Sequence, residues 1–405
     1  MNERAREEGG LSPADGRGSA HEPSMKSSPH AHSTDEQHTV HAIEPDAGHG
    51  ADGGSGGSGH PGADPRPGAA ASSAASDRTW PAVSVIMPVL NEERHLAEAV
   101  QRILSQDYPG ELELVLAVGP SRDRTEEIAQ RLAAEDPRVV VVPNPTGRTP
   151  QGLNIAIKAS QYSIIVRVDG HSLLPPDYVR VAVETMEETG ADNVGGIMAA
   201  EGVTPFEKAV ARAMTSKIGV GNARFHTGGE PGDVETVYLG TFRRSALERV
   251  GGYDETFVRA QDWEMNHRIR QTGGRIYFTP RMRVTYRPRP NLRALAKQYY
   301  HTGRWRRVVG REHQGTLNLR YLAPPMAVLA MTAGAIAGAL GFWPGWLVPG
   351  AYAAGILVGS IVEGRGLPPS AWVRLPLVLA TMHICWGVGF LTSPPGLGQP
   401  SPAKS

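Results

Sequence analysis

Between residues 80 and 172 short apolar runs alternate with stretches of helical spacing. Val83–Met87, Leu112–Val118, Val139–Val142 and Ser163–Val168 are apolar and rich in β-branched residues, so each reads as a buried strand. Between them Glu93–Leu104 repeats apolar residues at Leu96, Val100 and Ile103, and Thr125–Ala134 and Leu153–Ala159 read as helices. Strand and helix in turn predict parallel strands joined by right-handed crossovers. The expected fold is a doubly wound α/β sheet, with its ligand crevice outside the carboxyl ends of the strands.

Polar residues at those ends carry the candidate chemistry. The stretch Ile164–Ser172 reads I-I-V-R-V-D-G-H-S, a strand that buries its length and then presents Asp169 and His171. A carboxylate and an imidazole at that edge suit a metal-bound diphosphate, although Asp, Gly and Ser also make plain turns. After the first strand Pro88 is expected to end the ladder, and Asn91, Glu92 and Glu93 place polar groups and negative charge at a helix start. After the second, Asp123 is suited to cap the next helix or to accept from a ligand hydroxyl, and after the third Arg148 is suited to contact phosphate. Each feature alone is ordinary capping and turn chemistry. Together they fall on one edge of one sheet.

The 41 Lys and Arg balance the 41 Asp and Glu, so no overall field points to nucleic acid. Residues 1–79 hold Gly, Ser, His, Ala, Asp and Pro with almost no large apolar residues, and are expected to be a disordered tail. Its histidines, His21 to His60, lack a fixed spacing and read as solvating residues; no signal peptide is apparent. Cys385, the single cysteine, lies in an apolar run and has no internal disulfide partner.

Past Pro280 the chain turns basic, from Arg281 to Arg320, with Glu312 the only acid, which suits anionic lipid headgroups. Leu292, Leu295 and Tyr299 share one helical face, so residues 291–320 are expected to form a basic helix at the membrane surface. Leu322–Phe342, Trp346–Val362 and Ala371–Leu391 each approach the ~20 apolar residues that cross a bilayer, giving an all-α membrane region over 321–392 before a short disordered tail, 393–405. Pro324 and Pro325 are expected in the first turn of the first span. Basic residues before the first span and at Arg365 and Arg374 predict a multi-pass plasma-membrane protein with its catalytic domain cytoplasmic. Gly334 with Gly338, and Gly355 with Gly359, have the spacing of close helix contacts, and His383 is an ionisable residue deep in a span, best explained by a hydrogen bond to a neighbouring helix.

From about Ala82 to Pro290 the chain resembles the inverting, GT-A-fold glycosyltransferases of family 2, in particular bacterial exopolysaccharide enzymes with a carboxy-terminal membrane region. V-S-V-I-M-P-V-L-N-E-E resembles that family's first strand and donor loop, N-P-T-G-R-T-P-Q-G-L-N its segment before a helix, and Asp169-Gly-His171 stands where it has an Asp-x-Asp metal motif. The resemblance implies a GT-A domain over residues 80–290, with a nucleotide-sugar donor met by Pro88, Asn91, Glu92, Asp123, Arg148, Asn154 and Asp169. It also implies Mn2+ or Mg2+ on Asp169 and His171. The segment from Val237 to Asp254 resembles the acceptor side, with Gly240 against the sugar, and A-Q-D-W-E makes Asp262 the catalytic base. His301-Thr-Gly-Arg-Trp305 resembles the Gln-x-x-Arg-Trp motif of processive members, which makes Arg304 and Trp305 acceptor-binding candidates; Trp305 equally suits an interfacial anchor.

Two departures stand out. The second strand ends in Leu116-Ala-Val-Gly-Pro-Ser without the family's aspartates, and His171 replaces the second metal carboxylate. The implied activity is transfer of a sugar to a hydroxyl of a lipid-linked or polysaccharide acceptor in envelope or exopolysaccharide synthesis. A polyprenyl-phosphate sugar synthase, or a non-enzymatic membrane scaffold retaining the fold, are the alternatives.

Overall fold

The computed structural model describes residues 78–399. Its strands are β1 (Val83–Val89), β2 (Leu112–Val118), β3 (Val139–Pro143), β4 (Ile164–Arg167), β5 (Asn193–Ala200), β6 (Gly232–Asp233), β7 (Tyr238–Arg243) and β8 (Ile276–Tyr286). They form one eight-stranded sheet in the order β3-β2-β1-β4-β7-β5-β8-β6. The first four strands are parallel to one another, and β5 is parallel to β8. β7 returns antiparallel between β4 and β5, and β6 lies antiparallel on β8, so the sheet is mixed but mostly parallel, a GT-A-like α/β domain.

Along β1, Val85 and Met87 join one core cluster while Ile86 joins the other, the period-two alternation of a strand covered on both faces. The helices Leu96–Leu104, Thr125–Glu135 and Thr149–Ala159 supply the crossovers. One expectation is corrected: the β1 ladder runs through Pro88, which pairs with Ala117, to Val89. Ile86 turns its carbonyl towards Val168, on the β4 side, and alternation points the Pro88 nitrogen the same way. β4 has ended at Arg167 by then, so the missing donor breaks no ladder bond.

Among the described residues, three helical segments are long and apolar enough to cross a membrane: Leu319–Ala339, Trp343–Glu363 and Pro369–Leu391. The first begins at Leu319, before the apolar run, so Pro324 and Pro325 lie inside the helix and not in its first turn. The basic helix, Leu292–Glu312, does not present its apolar face freely; it packs along Leu375–Leu391. Two glycines set that crossing. A Cβ on Gly303 would stand 2.0 Å from the Trp386 carbonyl oxygen, and one on Gly389 2.0 Å from the Tyr300 carbonyl oxygen. Gly334 and Gly338 admit Gly345 and Trp346, and Gly359 admits Ile218, whereas Gly355 faces open space.

Of the expected tails, residues 1–77, with their histidines, and 400–405 lie outside the described residues. Residues 393–399 are docked: Leu397 packs on the Phe257, Trp305, Val308 and Val309 cluster, and Ser393 Oγ donates to the Arg304 carbonyl at 3.0 Å. That correction follows from a single leucine finding an apolar seat.

Because the helices meet at glycine, Gly303→Val is expected to destabilise the protein by about 1–3 kcal/mol through overpacking. Thermal unfolding in detergent should show a lower midpoint for this variant and none for Gly355→Ala; equal midpoints would refute the crossing.

Candidate active site

β4 ends in a buried cation. The Arg167 side chain is 4% exposed, and its Nη2 lies 3.0 Å from Asp169 Oδ1. Its Nη1 contacts the Asp262 carboxylate. One guanidinium therefore joins two carboxylates that lie far apart in sequence. Burial pulls the Arg167 pKa down, but the charge and hydrogen bond of Asp169, together with Tyr253 and Tyr238, outweigh it, and the net direction is upward, so the cation persists.

Asp262 sits in the first turn of the helix Gln261–Gln271, where free backbone N–H groups and the helix dipole favour a carboxylate. The turn that delivers it is strained: Ala260, a residue with a Cβ, holds φ at 60°. Glu264, also in that first turn, is spent on Arg268 at 2.6 Å.

Asp169-Gly-His171 follows β4 directly, and His171 Nδ1 lies 2.9 Å from Glu92 Oε1 in the loop after β1. That hydrogen bond is the main cause of an upward shift of the His171 pKa, opposed by burial. With Nδ1 protonated towards Glu92, Nε2 keeps its lone pair for a cation. Among the described residues no group of three or more His, Cys, Asp and Glu is placed to hold an ion by itself. Asp169 and His171 would hold a divalent cation only together with ligands from outside the protein, and its chemistry there would be to neutralise phosphate charge.

The two loops beside this pair are tied together. Asn91, at φ 56°, accepts from the Arg122 N–H at 2.8 Å, and the Glu92 N–H donates to Thr125 Oγ1 at 2.7 Å. Asp123 accepts from Thr125 and from the Glu93 N–H, and the Thr125 hydrogen bond is the main cause of its lowered pKa. The carboxylate is therefore engaged in loop structure. Arg148 is exposed beyond β3, following a turn in which Asn144 Nδ2 donates to the Arg148 carbonyl at 3.1 Å. Pro88 abuts Gly152, which has no room for a Cβ.

Three expected contacts are corrected. Asn154 donates to the Tyr253 carbonyl and accepts from the Tyr253 N–H, each at 2.8 Å, so its amide fixes the loop leading to Asp262 and is not free for the donor. Gly240 is buried, and its missing Cβ makes room for Asn193, 2.4 Å away, not for a sugar. Trp305 is 5% exposed and packs 6.0 Å from the Phe257 ring, which leaves it neither a stacking platform nor an interfacial anchor. Arg304 is half-buried over the Tyr300 ring.

Asp262 also lines a cavity of about 670 Å³. Trp263 and Tyr238 continue its wall from the catalytic domain, and Pro324, Ala327, Met382 and Trp386 carry it between the apolar helices. His383 lines it too, bonded through Nε2 to the Ile218 carbonyl at 2.8 Å and through Nδ1 to the Tyr352 hydroxyl on the neighbouring helix at 3.4 Å. Arg167 and this cavity were not anticipated from sequence. The one signal for the first was an arginine inside an otherwise apolar strand.

The family model described as glycosyl transferase family 2 matches residues 84–251. The succinoglycan biosynthesis protein ExoA of Rhizobium meliloti is 33% identical over 310 residues, 76% of this chain and 93% of that protein. A dolichyl N-acetyl-alpha-D-glucosaminyl phosphate 3-beta-D-2,3-diacetamido-2,3-dideoxy-beta-D-glucuronosyltransferase of Methanococcus voltae is 24% identical over 76% of this chain and 95% of its own length. In fold, a mannosyltransferase of Pyrobaculum calidifontis, solved with GDP-Man and Mn2+, superposes with a TM-score of 0.52 at 22% identity, covering 78% of this chain and 91% of that one. The chain therefore belongs to glycosyl transferase family 2 and is a glycosyltransferase of the GT-A fold.

Proposed function

We propose that this enzyme is an inverting transferase that moves a sugar from a nucleotide-sugar donor to a hydroxyl of a lipid-linked acceptor at the cytoplasmic face of the plasma membrane, in exopolysaccharide or related glycan synthesis. The observation that carries the reading is the cavity that begins at Asp262 and continues between helices apolar enough to cross a membrane. The Methanococcus voltae relative supports it, since its name gives a dolichyl phosphate-linked sugar as acceptor, and the Rhizobium meliloti relative supports the exopolysaccharide setting. The basic residues flanking the spans support the orientation. A lipid phosphate is already ionised at neutral pH and needs no base, so the Asp262 carboxylate at the cavity wall favours a hydroxyl nucleophile.

In this reading Asp262 accepts the hydroxyl proton as the oxygen attacks the anomeric carbon from the face opposite the departing diphosphate. Arg167 holds that carboxylate in place and keeps its charge balanced beside Asp169. A divalent cation on Asp169 and His171 would neutralise charge on the leaving diphosphate. Glu92 orients His171, and the exposed Arg148 adds a cation on the same edge.

Three measurements test the assignment. Asp262→Asn should lower transfer from labelled nucleotide sugars to membrane extracts by about 10²- to 10⁴-fold with its unfolding midpoint unchanged; retained activity refutes the base. Glu92→Gln should raise the Mn2+ concentration for half-maximal transfer by about 10- to 100-fold, and chelation should silence the wild type. Arg167→Met leaves two carboxylates facing each other, which favours a shared proton, so the acid limb of its pH–rate profile should move to higher pH. A profile that only scales down would leave Arg167 with a purely structural part.

A further inference from the structure

We propose that Arg320 and His226 form a phosphate subsite in the cavity wall, which holds the phosphoryl group joining an acceptor's sugar to its lipid. This rests on the lipid-acceptor reading above and adds where the acceptor's charge is received.

The cavity is mostly apolar, and its charged lining is uneven: Lys217 and Arg320 are cations, and Asp262 is the acid. A third cation stands immediately behind. The Arg306 guanidinium lies 4.2 Å from the Trp263 ring centre and 3.6 Å from that of Tyr321, and both rings line the cavity. Among the described residues Arg306 makes no ion pair; burial lowers its pKa to about 10, which leaves it charged at neutral pH. Arg306 thus adds positive charge that has no ion-pair partner among the described residues, whereas Arg320 pairs with Glu235 at 3.4 Å, an acid itself 46% exposed.

Polar atoms without partners mark the same place. His226 Nδ1 and Arg320 Nε are buried with no hydrogen-bond partner. The His226 ring is fixed against Phe225 at 4.3 Å, and burial, with the Arg320 charge, lowers its pKa to about 4, so it is a neutral ring able to donate through one nitrogen. A buried polar atom left unpaired costs about 1–3 kcal/mol, a cost removed when a ligand supplies the partner. Arg320 also stands in the first turn of Leu319–Ala339, where the helix dipole adds to its positive charge. Beyond it Pro324, Ala327 and Met382 offer only apolar surface, as a lipid tail requires. A phosphoryl group at Arg320, a sugar towards Asp262 and a tail among the helices would use the three chemistries of one cavity.

The test uses the full chain in detergent with EDTA present, which keeps the metal-dependent donor edge empty, and reads quenching of tryptophan fluorescence, since Trp263 and Trp386 line the cavity. The probes are farnesyl diphosphate, farnesol and inorganic diphosphate. Farnesyl diphosphate should bind, Arg320→Gln and His226→Phe should each weaken it about tenfold or more, Arg320→Lys should restore part of the loss, and farnesol should bind all variants alike. Inorganic diphosphate binding as tightly as farnesyl diphosphate would keep the subsite but assign it to the free anion. Variants that bind farnesyl diphosphate like wild type, or that lose farnesol in step with it, overturn the proposal. No turnover enters these measurements, so a wild type that bound the lipid diphosphate yet transferred no sugar to lipid-linked acceptors would count against the acceptor reading alone.

Discussion

The site depends on one buried cation between two carboxylates. At 4% exposure the Arg167 charge is balanced by them rather than by water, and Asp169 and Asp262 would repel each other without it. The constraint is mutual, and it is also topological. Arg167 and Asp169 leave the end of β4, whereas Asp262 arrives on a helix that follows the antiparallel return of β7. The ion pair is where the end of β4 is registered against the helix that carries Asp262. Asn154 reinforces the same seam by holding the Tyr253 backbone with both ends of its amide.

Away from that seam, the helices Leu292–Glu312 and Leu375–Leu391 set the cavity's far wall. Their contact at Gly303 and Gly389 lets backbones touch, which draws Trp386, Met382 and His383 towards the catalytic domain. A single methyl at either glycine would push that wall outward. In the proposed function, membrane anchoring and acceptor access are therefore one structural problem, met by close packing between a basic helix and an apolar one.

Much of the placement of polar residues at the strand ends was legible in the sequence. Strand runs at Val83, Leu112, Val139 and Ile164 have the right chemistry to be buried on both faces, and polar residues stand directly after them, so Asp169, His171, Glu92 and Asp123 fall on one edge by topology alone. The acceptor side was not legible in the same way. Gly240 and Trp305 were assigned by motif, but a glycine inside a strand is silent on whether sugar or Asn193 fills its missing side chain, and a tryptophan on an amphipathic helix is silent on which partner covers it. Arg167 was visible as a charge in an apolar run, yet its meaning needed the position of Asp262, which no local pattern fixes. The docked segment around Leu397 escaped for the same reason, because one apolar residue in a Pro- and Gly-rich stretch carries no periodicity.

The two sides of the site also differ in stiffness, and the difference suits their proposed tasks. The donor loops are held by backbone hydrogen bonds to Asn91, Asp123 and Thr125, and Asn91 adopts a left-handed backbone that leaves little freedom. Such a lattice fixes polar groups at the fractions of an ångström that phosphate and sugar recognition demand. The cavity instead draws on Met198, Met214 and Met382, unbranched side chains that repack with little penalty. In the proposed function, a rigid edge for the nucleotide and a compliant wall for an apolar tail would place selectivity on the donor and on the acceptor's polar end, and leave lipid length loosely specified. Within the cavity the fixed points are then its charges, Asp262 and the cationic wall around Arg320, and the distance between them is what an acceptor must match.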